Sequence, residues 1–175
     1  MSVTAQAIVV MGVSGAGKTT VGRLVAEALG GTFVDGDDLH SDEARAKMTA
    51  GIALTDADRW PWLDRIGAAL AEAVTAGQTK VAACSALKRV YRERLRAAVG
   101  PRLRFVYLDA EPETMRRRVG HRPGHYMPAS LVDSQFAALE PPRDESDVVT
   151  MRADADLATS IPELAMRLQS GAQDP

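Results

Sequence analysis

A single cysteine, Cys84, leaves no partner for an intramolecular disulfide, which fits a reducing compartment. Nor is there a surplus of one charge. The net charge of −2 at pH 7 lacks the basic excess with which nucleic-acid-binding proteins displace counterions from phosphates, so no nucleic-acid partner is expected. Long apolar runs are missing too. The one near the start stops at Met11, too short to span a bilayer, and Met1 to Gln6 lacks the basic opening of a signal peptide. A cytoplasmic protein with no membrane partner is expected. Residues 1–165 hold no repeat, low-complexity tract or linker. What is present is ordinary globular composition, 46% hydrophobic and 25% charged, in 175 residues that suit one domain. That domain is expected over residues 1–170, with a loose tail at 171–175.

Strand-like and helix-like signals alternate. Ala7–Met11 is a short apolar run, as in a strand buried on both faces. Val21, Leu24, Val25, Ala28 and Leu29 repeat at helical spacing from Lys18 until Gly30-Gly31 stops the helix. Thr32–Val34 reads as a strand. Ser41 reads as the cap of a helix ending near Gly51, and Thr55 with Asp58 as a capping box opening a helix to Ala76. Lys80–Cys84, Arg104–Leu108 and Val148–Met151 complete the strands; Glu113–Val119 and Pro162–Leu168 are helical. Strands separated by helices imply parallel β-α-β units: an α/β, three-layer, doubly wound parallel sheet, with ligands outside the carboxyl ends of its strands.

At the first such end, Gly12-Val13-Ser14-Gly15-Ala16-Gly17-Lys18-Thr19 matches the phosphate-loop pattern G-x-x-x-x-G-K-[ST], followed by Thr20, between a strand and a helix. Glycines let backbone N–H groups converge on phosphate oxygens, and the helix opening at Lys18 points its positive end at the same anion. Lys18 is expected to reach the β- and γ-phosphates of ATP, and the Thr19 hydroxyl to ligate Mg²⁺. A Gly-rich turn with a surface lysine is the bland alternative, which the strand–loop–helix context disfavours.

At the second end stands Asp35-Gly36-Asp37-Asp38-Leu39-His40. A carboxylate there suits the orientation and deprotonation of an accepting hydroxyl, although Asp-Gly is also a common turn pair. After the third strand, Cys84-Ser85-Ala86-Leu87-Lys88 lacks the terminal aspartate of a Walker B element. Asp35 therefore becomes the candidate for the metal's water shell. Arg59, with Trp60 and Trp62 at a helix start, reads alone as cap plus core. The basic stretch Arg116-Arg117-Arg118 to Arg122-Pro123-Gly124-His125 reads either as a solvated helix face or as a lid closing over ATP, over about 113–130.

Taken together, MGVSGAGKT (11–19), FVDGDDLH (33–40), KMTAGIALTDADRWPWL (47–63), CSALKRVYRERLR (84–96) and HRPGHYMPASLVDSQFAALEPP (121–142) resemble the gluconokinase family of P-loop carbohydrate kinases, related in fold to shikimate and nucleoside monophosphate kinases. The resemblance spans nearly the whole chain. It departs at Ala44 or Arg45, where asparagine is common, at Ala53, where proline is, and at Tyr126, usually phenylalanine. It implies ATP- and Mg²⁺-dependent conversion of D-gluconate to 6-phosphogluconate, commonly by a homodimer. It further implies Asp37 beside the accepting hydroxyl, Asp35 near the metal, and His40, Lys47, Arg59, Lys88 and Arg92 lining the gluconate pocket. Arg118 would lie nearer adenine and Arg122 nearer the phosphates. Another small hydroxylated acid, such as shikimate, is the alternative acceptor, although Cys84-Ser85-Ala86 stands where shikimate kinases carry three glycines.

Overall fold

The computed structural model describes residues 4–121 and 129–171. Five strands, β1 (Ala7–Met11), β2 (Thr32–Asp35), β3 (Lys80–Ala83), β4 (Leu103–Asp109) and β5 (Val148–Arg152), pair in parallel in the order β2-β3-β1-β4-β5. The helices are α1 (Lys18–Ala28), α2 (Asp42–Thr49), α3 (Asp56–Thr75), α4 (Arg89–Val99), α5 (Pro112–Gly120), α6 (Ala129–Ala138) and α7 (Leu157–Ser170). A single 3₁₀ turn, Gly36–Leu39, follows β2. Among the described residues no helix is long and apolar enough to cross a membrane.

Central β1 is wholly buried, which is why it reads as an unbroken apolar run. Its alternation feeds two cores. Ile8 and Val10 pack with Val21 and Val25 of α1, Met115 of α5, Val132 of α6 and Leu164 of α7. Ala7, Val9 and Met11 pack with Trp62, Ile66 and Leu70 of α3 and Leu95 of α4. Each large side chain so buried contributes about 1.5–3 kcal/mol. The three-layer, doubly wound architecture is the one expected.

Side-chain caps set the starts of α2, α3 and α7. The Ser41 hydroxyl accepts the Ala44 N–H, and Thr55 and Asp58 form the reciprocal capping box. Two helices, α4 and α6, have no counterpart in the sequence reading. Lys88, which precedes α4, makes no side-chain cap, and the buried face of that helix includes a charged residue, Arg92, that breaks its apolar stripe. Helix α7 begins at Leu157 rather than Pro162. Asp156 caps it by accepting the Thr159 N–H, and Pro162 lies inside the helix.

Candidate active site

The phosphate loop is shaped chiefly by its backbone. Gly17, at φ 97°, adopts the left-handed conformation that glycine takes without steric cost, and there the chain turns into α1. Buried Val13 and Ala16 anchor the loop from below, while Ser14, Gly15, Gly17, Lys18 and Thr19 are half-exposed and Thr20 is exposed. The Gly12 N–H donates to the Ser85 carbonyl (3.2 Å), tying the loop to the end of β3. Lys18 Nζ donates to Val13 O across the loop (3.0 Å). Arg118 of α5 lies against the loop from the other side, donating to Gly15 O (3.2 Å) and to Ala153 O beyond β5 (3.4 Å).

Asp35 ends β2, which β3 separates from β1 in the sheet; the Thr19 hydroxyl donates to Asp35 Oδ2 (2.9 Å), and Asp35 Oδ1 accepts the Asp37 N–H (3.0 Å). The 3₁₀ turn thus hangs Asp37, exposed, from the same carboxylate that touches the phosphate loop. Gly36 earns its place by close approach rather than by turn geometry. A Cβ there would stand 2.3 Å from Ala83 O of β3, and its own carbonyl accepts the Trp62 indole N–H (2.7 Å). A hydroxyl beside a carboxylate is a hard-oxygen pair that fits Mg²⁺, which keeps phosphate and water oxygens in its remaining positions.

Beyond Asp37 the site is made of side chains. A cleft of about 490 Å³ is lined by Asp56, Arg59 and Lys88, by Leu54, and by Ser134 and Gln135 of α6. That size suits a small ligand. Lys88, in the cleft, and Lys47, which is not among its lining residues, are each held by an acid of the first turn of α3. Lys88 pairs with Asp56 (3.1 Å), which also accepts the Tyr91 hydroxyl, and Lys47 pairs with Asp58 (2.8 Å). The Tyr91 and Lys88 hydrogen bonds lower the Asp56 pKa, and the Lys47 bond brings that of Asp58 down to about 2. Arg59 donates to Leu54 O (2.6 Å) and Tyr91 Oη (3.3 Å).

His40 is not among the residues that line the cleft; near Arg59, it is 8% exposed and stacked on Trp62 at 4.2 Å, and its buried Nδ1 has no hydrogen-bond partner. Burial, then the neighbouring Arg59, Arg45 and Arg65, lower its pKa to about 4, so the ring is neutral at pH 7. Cys84 is equally enclosed, and burial pushes its thiol up to about 12.

Arg92 does not line the cleft. It is wholly buried, and all five of its N–H donors are taken. Nη1 donates to Ala86 O (2.8 Å) and Leu87 O (3.1 Å), Nη2 to Glu140 O (2.9 Å), and the guanidinium pairs with Glu145 (2.6 Å). Arg96 joins the same Glu145 and reaches Asp147 (2.7 Å). Burial raises the Glu145 pKa, but Arg92 and Arg96 outweigh it and the net direction is down. Arg92 thereby fixes Ala86, which among the described residues is the one non-glycine at positive φ (44°), and with it the loop carrying Ser85 and Lys88. The stretch expected as a lid opens with α5, whose Met115 and Val119 are core residues. Arg122 and the rest of 122–128 lie outside the described residues.

Asp56 and Gln135, which line the cleft, and buried Tyr91, which bonds to Asp56 and Arg59 from behind it, were not assigned by the sequence reading. All three stand within segments it quoted, but the pairing of Asp56 with Tyr91 crosses 35 positions. The contact of Gln135 with Ser14 crosses 121 positions, and nothing local in its segment points to it.

A phosphate loop following β1, on a parallel sheet ordered 2-3-1-4-5 with a carboxylate pair at the end of β2, two strands away, defines a P-loop kinase. In agreement, residues 8–142 match the family model described as an AAA domain. The chain is 44% identical to the thermosensitive gluconokinase of Escherichia coli K12, over 87% of this chain and 82% of that protein. It is 45% identical to the gluconokinase of Gluconobacter oxydans 621H, over 93% and 91% of the two chains. The crystal structure of a gluconokinase from Sinorhizobium meliloti 1021 superposes with a TM-score of 0.82 at 43% identity, covering 98% of this chain and 93% of the other. The chain belongs to the gluconokinase family.

Proposed function

We propose that this chain transfers the γ-phosphate of ATP to D-gluconate, giving 6-phospho-D-gluconate and ADP. Support comes from relatives named gluconokinases along most of the chain. The observation that carries the reading is the continuous line from the phosphate loop through Thr19, Asp35 and Asp37 towards a cleft edged by Arg59 and Lys88. Gluconate is a polyol with one carboxylate, and such a cleft offers cations for the carboxylate and hydrogen-bonding groups for the hydroxyls.

In this reading the backbone N–H groups of residues 12–19 and the end of α1 hold the phosphates, and Lys18 leaves Val13 O for the β- and γ-oxygens. Thr19 and Asp35 would hold Mg²⁺, which neutralises charge on those phosphates. Asp37 orients the accepting hydroxyl. As its oxygen bonds to the γ-phosphorus, the bond from phosphorus to the bridging oxygen breaks, ADP carries away that electron pair, and the hydroxyl proton passes to Asp37. Lys88 and Lys47 exchange part of their pairing with Asp56 and Asp58 for the substrate, with Arg59 beside them and neutral His40 near Arg59. Arg118 sits on the adenine side, and Arg122 is assigned to the phosphates by its motif. A cytoplasmic homodimer goes with this reading.

The test is ADP release with ATP, Mg²⁺ and a panel of acids that includes gluconate, other sugar acids and shikimate. Gluconate should give the highest kcat/KM. Turnover of shikimate but not gluconate would overturn the assignment.

A further inference from the structure

Gln135 belongs to the phosphate loop and the acceptor cleft at once. Its Oε1 accepts the Ser14 backbone N–H at 2.7 Å, across 121 positions of sequence. The same residue lines the cleft with Asp56, Arg59 and Lys88. Its helix is held on both flanks. Asp133 of α6 pairs with Arg116 of α5 (2.7 Å). Just past α6, the Glu140 N–H donates to Leu87 O (2.9 Å) and the Glu140 carboxylate accepts the Arg89 N–H. The Gln135 amide is therefore delivered to Ser14 by a braced element.

The position of Ser14 fixes what this contact means. Since its N–H meets a residue of the cleft, Ser14 marks the end of the loop that faces the acceptor. The transferring phosphate must lie at that end, because in-line attack brings the accepting hydroxyl up to it. A γ-phosphate oxygen there seeks the N–H that Gln135 Oε1 now accepts. Two acceptors crowded on one donor repel. A carboxamide has a way out that a carboxylate lacks, because its other end carries two N–H donors. We infer that Gln135 is a further residue of the transfer site, which turns its amide N–H to the γ-phosphate and holds that group against the accepting hydroxyl. The inference rests on the gluconate kinase reading for its acceptor but not for its contact with the phosphate.

The experiment uses the full chain with Gln135→Ala and Gln135→Glu. It measures kcat and KM for ATP and gluconate, and the affinities for ADP and for the non-hydrolysable ATP analogue AMPPNP. Gluconate turnover by the unaltered chain tests the underlying reading, whereas the ratio of AMPPNP to ADP affinity tests Gln135 whatever the acceptor. A hydrogen bond to a charged group stabilises by roughly 1.5–3 kcal/mol, so Gln135→Ala should lower kcat about 10–100-fold with ADP affinity nearly unchanged. Gln135→Glu keeps the shape and an acceptor for Ser14, but it places a negative charge beside the phosphate. It should be worse than the alanine variant and should lose about tenfold in AMPPNP affinity relative to ADP. If α6 merely needs tying to the loop, Gln135→Glu restores wild-type kcat, which overturns the inference. So does an equal loss of ADP and AMPPNP affinity. Should Gln135→Ala fail to fold, as judged by its thermal transition, the near-isosteric glutamate variant carries the test alone.

Discussion

Eight consecutive residues, 12–19, make the phosphate loop, and its shape comes from glycines, backbone hydrogen bonds and the end of one helix. The acceptor cleft draws instead on α3, α6 and the loop after β3, and its two cations are already engaged, Lys88 by Asp56 and Arg59 by Leu54 O and the Tyr91 hydroxyl. A backbone-built site tolerates loss of a side chain as far as holding phosphate is concerned, because several N–H groups share the task. A site built from paired side chains has no such redundancy. Removing one partner leaves a charge uncompensated. The nucleotide side should therefore lose rate without losing shape, whereas the acceptor side should lose both specificity and stability.

The sharpest break in that contrast is expected at Asp37. Asp37→Asn keeps the turn held by Asp35 but removes the base, and kcat should fall about 10²–10⁴-fold. ADP affinity should stay at its wild-type value by calorimetry. Retention of more than about a third of kcat, well short of that range, would remove Asp37 as the base. Arg92→Ala comes next and is a stability effect. It takes from buried Glu145 one of its two guanidinium partners, leaving Arg96, and strips the donors from the Ala86, Leu87 and Glu140 carbonyls, and it should cost roughly 3–5 kcal/mol in urea unfolding. A loss under about 1 kcal/mol would mean that the buried ion pair is not what holds the loop after β3, given that typical cost.

Lys18→Ala tests the backbone side. Losing one positioned cation at the transferring phosphate should lower kcat about 10²–10³-fold, with circular dichroism unchanged. An unaltered rate would place Lys18 outside the chemistry. The smallest effect concerns pH. His40 titrates near 6.5 when unfolded and at about 4 when folded, so between those values the unfolded chain binds the extra proton. Stability should be flat above about pH 6.5 and should decline as pH falls toward 4, by at most about 3 kcal/mol. His40→Gln should flatten this dependence. An equally steep decline in that variant would assign it to other groups.

The same division decides what could be read in advance. The phosphate loop, β1 and the Thr55 capping box are local patterns whose meaning lies within four to eight residues, and the structure reproduces them. Asp35 and Thr19 are 16 positions apart, yet each falls at a strand's carboxyl end, where doubly wound topology brings them together. Arg92 misled because its neighbours Lys88 and Tyr91 do face the cleft side. Only the helical turn of α4, which the sequence reading did not include, shows that Arg92 points into the core. Gln135 was illegible for a related reason. Its contact depends on where α6 crosses the loop, and no periodicity encodes that.

Burial of Cys84 has a use at the bench. With the thiol enclosed and its pKa near 12, it carries almost no thiolate at neutral pH and stays out of reach of maleimide reagents. The natural chain is therefore a ready background for site-directed labelling. A cysteine introduced at an exposed position such as Glu113 or Ser130 would be the one site to take a fluorophore or spin label. Distances across the kinase during turnover become measurable without first engineering the native thiol away.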